Sequence, residues 1–149
     1  MNLGERRAIE AECQRLLHAY CVHLDHREFD AFVNVFTPQA RLTYPYADLR
    51  GHGEIRAWLD ARPETVLTIH QSSTPLIEVA GPGRATGIST VTVYRHEAAS
   101  LPFPRPLTFG GPVQVGQYDD EFEFTASGWR IARRLVSVLL NVPVVRPGG

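Results

Sequence analysis

Helical periodicity at the start of the chain and strand-like segments after it predict an α+β domain, with N-terminal helices covering one face of a curved, mostly antiparallel sheet. Three observations carry that prediction. Apolar residues recur at helical spacing through the first third of the chain. From Thr65 onward, long segments are rich in β-branched and aromatic residues, some of them separated by Pro-Gly or Ser-Gly turns. And 149 residues, 44% of them hydrophobic, amount to about one domain able to bury a core and still hold a pocket.

Taken in order, Ile9, Cys13, Leu16, Leu17, Tyr20 and Leu24 mark a first helix from about residue 5 to 26. Phe29, Phe32, Val33 and Phe36 repeat the pattern in a shorter second helix, which Thr37-Pro38 should end. "ARLTYPY" (40–46) reads as a short strand. "GHGEIRAWLDARP" (51–63) reads as a turn and a short helix carrying Ile55, Trp58 and Leu59, stopped by proline. The strand-like segments are 65–81, 84–98, 113–129 and 129–142. Between the second and third of them lies the proline-rich "SLPFPRPLTFGGP" (100–112), the kind of long loop that serves as a lid, an oligomer contact or a mobile segment. No internal repeat is visible, and a single domain over 1–149, with its core at about 5–142, is expected.

Bulk properties exclude several classes. A net charge of −1 leaves no electrostatic footprint for nucleic acid or acidic lipid. No apolar run approaches the roughly 20 residues that span a bilayer, and "MNLGERRAIEAECQ" lacks the apolar segment of a secretory signal. Cys13 and Cys21 lie eight residues apart on one helix, roughly 12 Å at 1.5 Å per residue, too far for a disulfide. They read as core thiols in a reducing compartment, and a cytoplasmic location is expected.

The chemistry centres on Asp25, a carboxylate at the edge of the apolar stripe, beside Cys21 and Leu17 on a helical wheel. Two readings are open. "DHRE" (25–28) resembles a capping box for the second helix. Alternatively, the carboxylate reaches under the sheet, where it needs a partner, because an unpaired buried charge is costly. His70, mid-strand in "LTIHQSS", is the obvious one. A strand histidine is more often structural, but an Asp–His pair is the common way to build a general base. His96 either lines the same cavity or faces solvent. His18, His23, His26 and His52 show no metal-ligand spacing, so no metal site is expected. Tyr20, Tyr44, Tyr46 and Trp58 are core residues by default, though a tyrosine hydroxyl in a pocket can donate to a carbonyl or leaving group. Adjacent Arg133 and Arg134 on the last strand imply that one points inward. No nucleophile elbow, P-loop or dinucleotide fingerprint is present.

Ile-x-x-Leu-x-x-x-Tyr…Leu-Asp in the first helix, a strand histidine about 45 residues on, and "GQYDDEFEFTASGWRIARR" near the end resemble a SnoaL-like domain of the NTF2-like superfamily over about residues 5–142. The resemblance implies a cone-shaped α+β barrel with an apolar pocket at its open end. Within the superfamily the likeness is to scytalone dehydratase, bile-acid dehydratases and hexachlorocyclohexane dehydrochlorinase, lyases that need no cofactor and use an Asp–His dyad. It places that dyad at Asp25 and His70 and makes Asp25 an orienting carboxylate, with or without a capping role. It matches Tyr20 and Tyr44 to tyrosines of the dehydratases and Arg134 to a last-strand arginine, with Arg133 turned away. His96 matches a second histidine by spacing. The dehydrochlorinase has lysine where this chain has Tyr20. The implied function is a cofactor-independent dehydratase acting beside a carbonyl of a hydrophobic cyclic or polycyclic molecule. Its catalytic residues would be Asp25, His70, Tyr20 and Tyr44, with Arg134, His96, Trp58 and Tyr46 binding substrate. A polyketide cyclase or ketosteroid-type isomerase is the alternative reaction. A non-catalytic binding module, or the small subunit of a ring-hydroxylating oxygenase, is the alternative class. Related proteins form homodimers or homotrimers, and the same is expected here.

Overall fold

The structure is a computed structural model that describes residues 1–111 and 113–142. Helix α1 (Leu3–Asp25) starts two residues before the predicted boundary because Asn2 caps it. The Asn2 side chain accepts from the Glu5 amide at 2.9 Å, and the Glu5 carboxylate accepts from the Asn2 amide at 2.7 Å. The face bearing Cys13, Leu16, Leu17, Tyr20, Cys21 and Leu24 is buried, as its spacing requires.

The second helix is shorter than its periodicity suggests. α2 (Phe29–Val33) stops after five residues, and β1 (Phe36–Tyr44) begins where the sequence pattern still reads helical. Thr37-Pro38 is therefore inside a strand rather than at a helix end. Pro38 lies in the stretch where β1's pairing shifts register, between Phe36 and Arg41, and a residue without an N–H is tolerated at such an irregularity. β1 then folds back through Pro45 and Tyr46 into β2 (Ala47–Arg50), a hairpin that the single strand expected at 40–46 did not anticipate. α3 (Gly51–Asp60) buries Ile55 and Leu59.

The segment 65–81 is two strands, β3 (Val66–Ser72) and β4 (Leu76–Gly81), broken just before and at Pro75. β5 (Arg84–Glu97) carries both along one edge. β4 pairs with its first half and β3 with its second. β6 (Val113–Thr125) and β7 (Gly128–Val142) form the long final hairpin, whose turn Gly128 closes at φ 96°, a backbone region open to glycine. The stretch 100–111 between β5 and β6 holds neither helix nor strand; Pro112 and 143–149 lie outside the described residues.

The sheet runs β2-β1-β7-β6-β5-β3, with β4 beside β5. All described pairings are antiparallel except β1 with β7. Register shifts in β1, β4, β6 and β7 mark irregularities of the kind that increase strand twist and curl. The sheet wraps the helices without closing, an open cone rather than a complete barrel. α1 lies against β3, β4 and β7, which brings the C-terminal turn of the helix to the inner face of β3.

Candidate active site

Asp25 is the last residue of α1, and its side chain turns to β3 rather than to α2. Its Oδ2 accepts from the His70 amide at 2.7 Å. Its Oδ1 accepts from Thr68 Oγ1 at 3.0 Å and faces His70 Nδ1 at 2.5 Å. The N-terminus of α2 is instead occupied by Glu28, which makes no side-chain cap, so the capping reading of Asp25 fails. A carboxylate oxygen accepts, so Nδ1 carries the ring proton and Nε2 keeps its lone pair. Among the described residues Nε2 has no hydrogen-bond partner. The Asp25 and His70 side chains are only 14% and 10% exposed, shielded enough for the contact to hold in water.

Strand alternation explains which residues gather around this pair. Thr68 and His70 share the inner face of β3, and in register across from them stand Arg95 and Val93 of β5. His96 stands opposite Leu67 on the other face, so it is not a pocket residue; Arg95 occupies that place. The cavity beside His70 measures about 120 Å³. Leu24, Val91, Val93, Val136 and Val138 supply its apolar lining; Tyr44, Tyr46, Trp58 and Tyr118 its aromatic wall; Arg62, Thr68, Arg95 and Gln114 its polar groups. Tyr44 stacks on Tyr46 (ring centroids 5.4 Å apart, 11° between planes) and on Trp58 (5.0 Å, 26°). Tyr46 is largely exposed, at the mouth. A larger open groove, about 380 Å³, lies on the outer face of the sheet around Glu78, Asp119, Glu121 and Arg133. Arg133 is already paired with Glu121 there and no histidine reaches it, so the smaller inner cavity is the one with acid–base chemistry.

Two expected site residues, Arg134 for substrate binding and Tyr20 for catalysis, lie beneath this cavity instead of in it. Arg134 is fully buried and forks onto Asp120, Nε to Oδ1 at 2.7 Å and Nη2 to Oδ2 at 2.9 Å. Its guanidinium carbon sits 4.1 Å from the Tyr20 ring centre and 4.0 Å from that of Tyr118. Burial alone would lower its pKa, but the Asp120 carboxylate overrides that and raises it. The inward arginine is committed to Asp120, with its Nη1 buried and unpartnered among the described residues, and Arg133 points out as expected. Tyr20 is fully buried too, and reaches the pocket only through the Tyr44 hydroxyl, to which its own is hydrogen-bonded. Either hydroxyl can donate in this bond; among the described residues Tyr44 is the one partner of the Tyr20 hydroxyl, so donation from Tyr20 would satisfy that buried group and leave the Tyr44 proton for the cavity. Burial pushes both phenols well above the ordinary range, so both stay protonated.

Sequence reasoning missed Thr68, Arg62, Arg95, Tyr118 and Asp120. Thr68 was within reach, because T-x-H on a strand puts both side chains on one face. Arg62 donates to Thr68 Oγ1 at 2.7 Å, extending the chain Arg62–Thr68–Asp25–His70. Burial lowers the Arg62 pKa, and the neighbouring Arg95 and Arg27 add to it. Among the described residues no three His, Cys, Asp or Glu side chains converge as metal ligands, and no helix is long and apolar enough to cross a membrane.

The family profile described as a SnoaL-like domain matches residues 5–135. No functionally curated protein matches the chain in sequence. Among solved structures, a protein of Novosphingobium aromaticivorans provisionally assigned as a scytalone dehydratase is 23% identical, with a TM-score of 0.75 over 99% of this chain and 95% of that one. A type 2 hexachlorocyclohexane dehydrochlorinase (LinA) is 16% identical, with a TM-score of 0.80 over 97% of each chain. An NTF2-like protein with a cystatin-like fold, also from N. aromaticivorans, is 20% identical, with a TM-score of 0.69 over 89% of this chain and 82% of that one. At such identities the likeness establishes the fold.

Proposed function

The chain belongs to the SnoaL-like domain family, and we propose that within it the protein is a cofactor-independent lyase, a dehydratase acting on a small cyclic molecule with a carbonyl beside an acidic C–H. One observation carries this reading: His70 lines the cavity with Nδ1 committed to Asp25 and Nε2 without a partner among the described residues. Two kinds of structural relative support an elimination, the protein provisionally assigned as a scytalone dehydratase and the dehydrochlorinase, while another is provisionally assigned as an aromatic ring hydroxylase.

The steps follow from the geometry. Nε2 of His70 takes the C–H proton, and the electrons of that bond become an enolate. Asp25 holds the ring by its Nδ1–H and stabilises the imidazolium. Tyr44, its proton freed by Tyr20, donates to the enolate oxygen. When the enolate collapses, the β-carbon loses hydroxide, which the Nε2–H of His70 protonates to water. The ring returns to its neutral form, and no electrons are gained or lost overall. The apolar walls keep bulk water from competing with the base.

The test is to incubate the protein with a panel of cyclic β-hydroxy ketones, following enone absorbance and product mass. Loss of one water, abolished in His70→Ala, is the expected result. Turnover without a mass change would assign the same base to an isomerisation or cyclisation. Full activity in His70→Ala would sink the reading.

A further inference from the structure

We infer that the ligand of this cavity carries a carboxylate, held by Arg62 and Arg95. The inference rests on the cavity being the functional site, but not on the elimination assigned to it.

Most arginines of this chain that make close side-chain contacts have carboxylate partners. Arg41 pairs with Asp48, Arg56 with Asp60, Arg84 with Glu123, Arg133 with Glu121 and Arg134 with Asp120. The two that line the inner cavity lack one among the described residues, as do Arg6, Arg27 and Arg130, whose guanidinium donors go to backbone carbonyls. Among the described residues neither Arg62 nor Arg95 forms a salt bridge, and the side-chain bond of Arg62 is to a neutral threonine. Placing two like charges in one half-buried cavity is unfavourable unless something negative completes it. Asp25 offsets only part of that charge: it touches neither guanidinium, because its oxygens bond His70 and Thr68 and it acts on Arg62 from two hydrogen bonds away.

The arrangement is also held in place. Arg27, at the end of α1, adopts a left-handed backbone (φ 59°), a conformation costly for a residue with a side chain. From there its guanidinium donates to the Arg62 carbonyl at 2.8 Å and the Pro63 carbonyl at 3.1 Å, pinning the loop that presents Arg62. Arg95 is placed by its register opposite Thr68. One guanidinium is thus fixed inside the cavity and the other stands exposed at its rim.

The chemistry of the neighbours selects the anion. A carboxylate is planar and carries a single charge, which suits a guanidinium fork. A phosphate dianion would meet stronger repulsion from the Asp25 carboxylate two hydrogen bonds away from Arg62. The stacked Tyr44, Tyr46 and Trp58 favour a flat ring beside it. The ligand class is a flat cyclic acid.

Calorimetric titration of the whole chain with 2-naphthoate, its neutral isostere 2-naphthamide, and 2-naphthyl phosphate tests this. The wild type should bind 2-naphthoate at least about tenfold tighter than 2-naphthamide, with the preference shrinking as salt is raised. Arg62→Gln should weaken 2-naphthoate by about tenfold and leave 2-naphthamide unchanged; Arg95→Gln should do the same to a smaller degree. Arg62→Lys keeps the charge but not the fork and should fall between; it also carries the test if Arg62→Gln does not fold. In His70→Ala the carboxylate preference should persist, which separates this proposal from the catalytic one. Equal affinity for acid and amide, no binding of 2-naphthoate, an unchanged preference in both Gln variants, or a preference for the phosphate each overturns it.

Discussion

Of the aspartates that hold a basic side chain in close contact, two are largely buried, Asp120 and Asp25, and their surroundings give them opposite roles. Asp120 and Arg134 are both wholly buried, forked together and sealed between the rings of Tyr20 and Tyr118. Asp25 and His70 are slightly exposed, and the histidine has a second nitrogen left over at the edge of a cavity. The sealed pair leaves one donor, Arg134 Nη1, without a partner among the described residues, but that atom is wholly buried, and the pair's main task is to hold the sheet together. The open pair has one free lone pair and is worth more as chemistry than as support. Partner type matters as well: a guanidinium stays charged throughout, whereas an imidazole can take up and return a proton near neutral pH.

The comparison can be broken at either pair. The largest effect should come from His70→Ala, which should lower kcat by about a thousandfold while ligand affinity stays within about tenfold, because the base acts on the transition state. Single-turnover rates and titrations on the same variant check this. Next, Asp120→Ala should cost about 3–5 kcal/mol of stability in urea melts, because it strands a buried guanidinium. Replacing both partners, Asp120→Leu with Arg134→Met, should recover most of that loss; failure to recover would mean that the guanidinium contacts with Tyr20 and Tyr118 matter more than the charge pair. Asp25→Asn should separate the two roles most clearly. The rate should fall about a hundredfold through the wrong tautomer, while stability falls by only about 1–2 kcal/mol. A variant that loses stability but keeps near-normal kcat would make Asp25 structural after all.

The smallest effect at neutral pH concerns the thiols and phenols between the pairs. Burial pushes Cys13 up to about 12 and Cys21 up to about 11, from an ordinary value of 9.0, and raises Tyr20, Tyr44 and Tyr118. The native state therefore keeps protons that the unfolded chain has released. Their contribution to stability should be flat below about pH 9 and fall as pH rises from there through the folded values. Melts across that range, with Cys21→Ala showing a shallower fall, check the assignment.

Much of this was legible in the sequence because the relevant patterns are local. The periodicity of α1 marks its buried face; the inner side of β3 was not legible, because apolar Leu67 and Ile69 flank His70, yet Ile69 is exposed and Thr68 and His70 face the cavity. The α2–β1 boundary was not legible, because Phe32, Val33 and Phe36 fit a helical stripe equally well; packing of Phe36 against Tyr20 and Phe32 in the core decided it. Arg134 was read correctly as pointing inward, but its task depended on which residue stands across from it. That residue is Asp120, fixed only by the β6–β7 register. Arg62 and Arg95 were invisible for the same reason. They are about 30 residues apart in the chain and meet only because β3 and β5 align Thr68 with Arg95.

The parallel contact between β1 and β7 has a consequence for how the molecule is made. Leu42 and Arg134 are neighbours in the sheet yet about 90 residues apart in the chain. As the protein leaves the ribosome, α1, β1 and Tyr44 emerge long before the strand that completes the sheet around them, and such distant pairings form slowly. The cavity thus comes into being only after the β6–β7 hairpin has emerged. A ribosome stalled before β7 has emerged should display a chain with its N-terminal apolar face uncovered, dependent on chaperones until the final hairpin arrives.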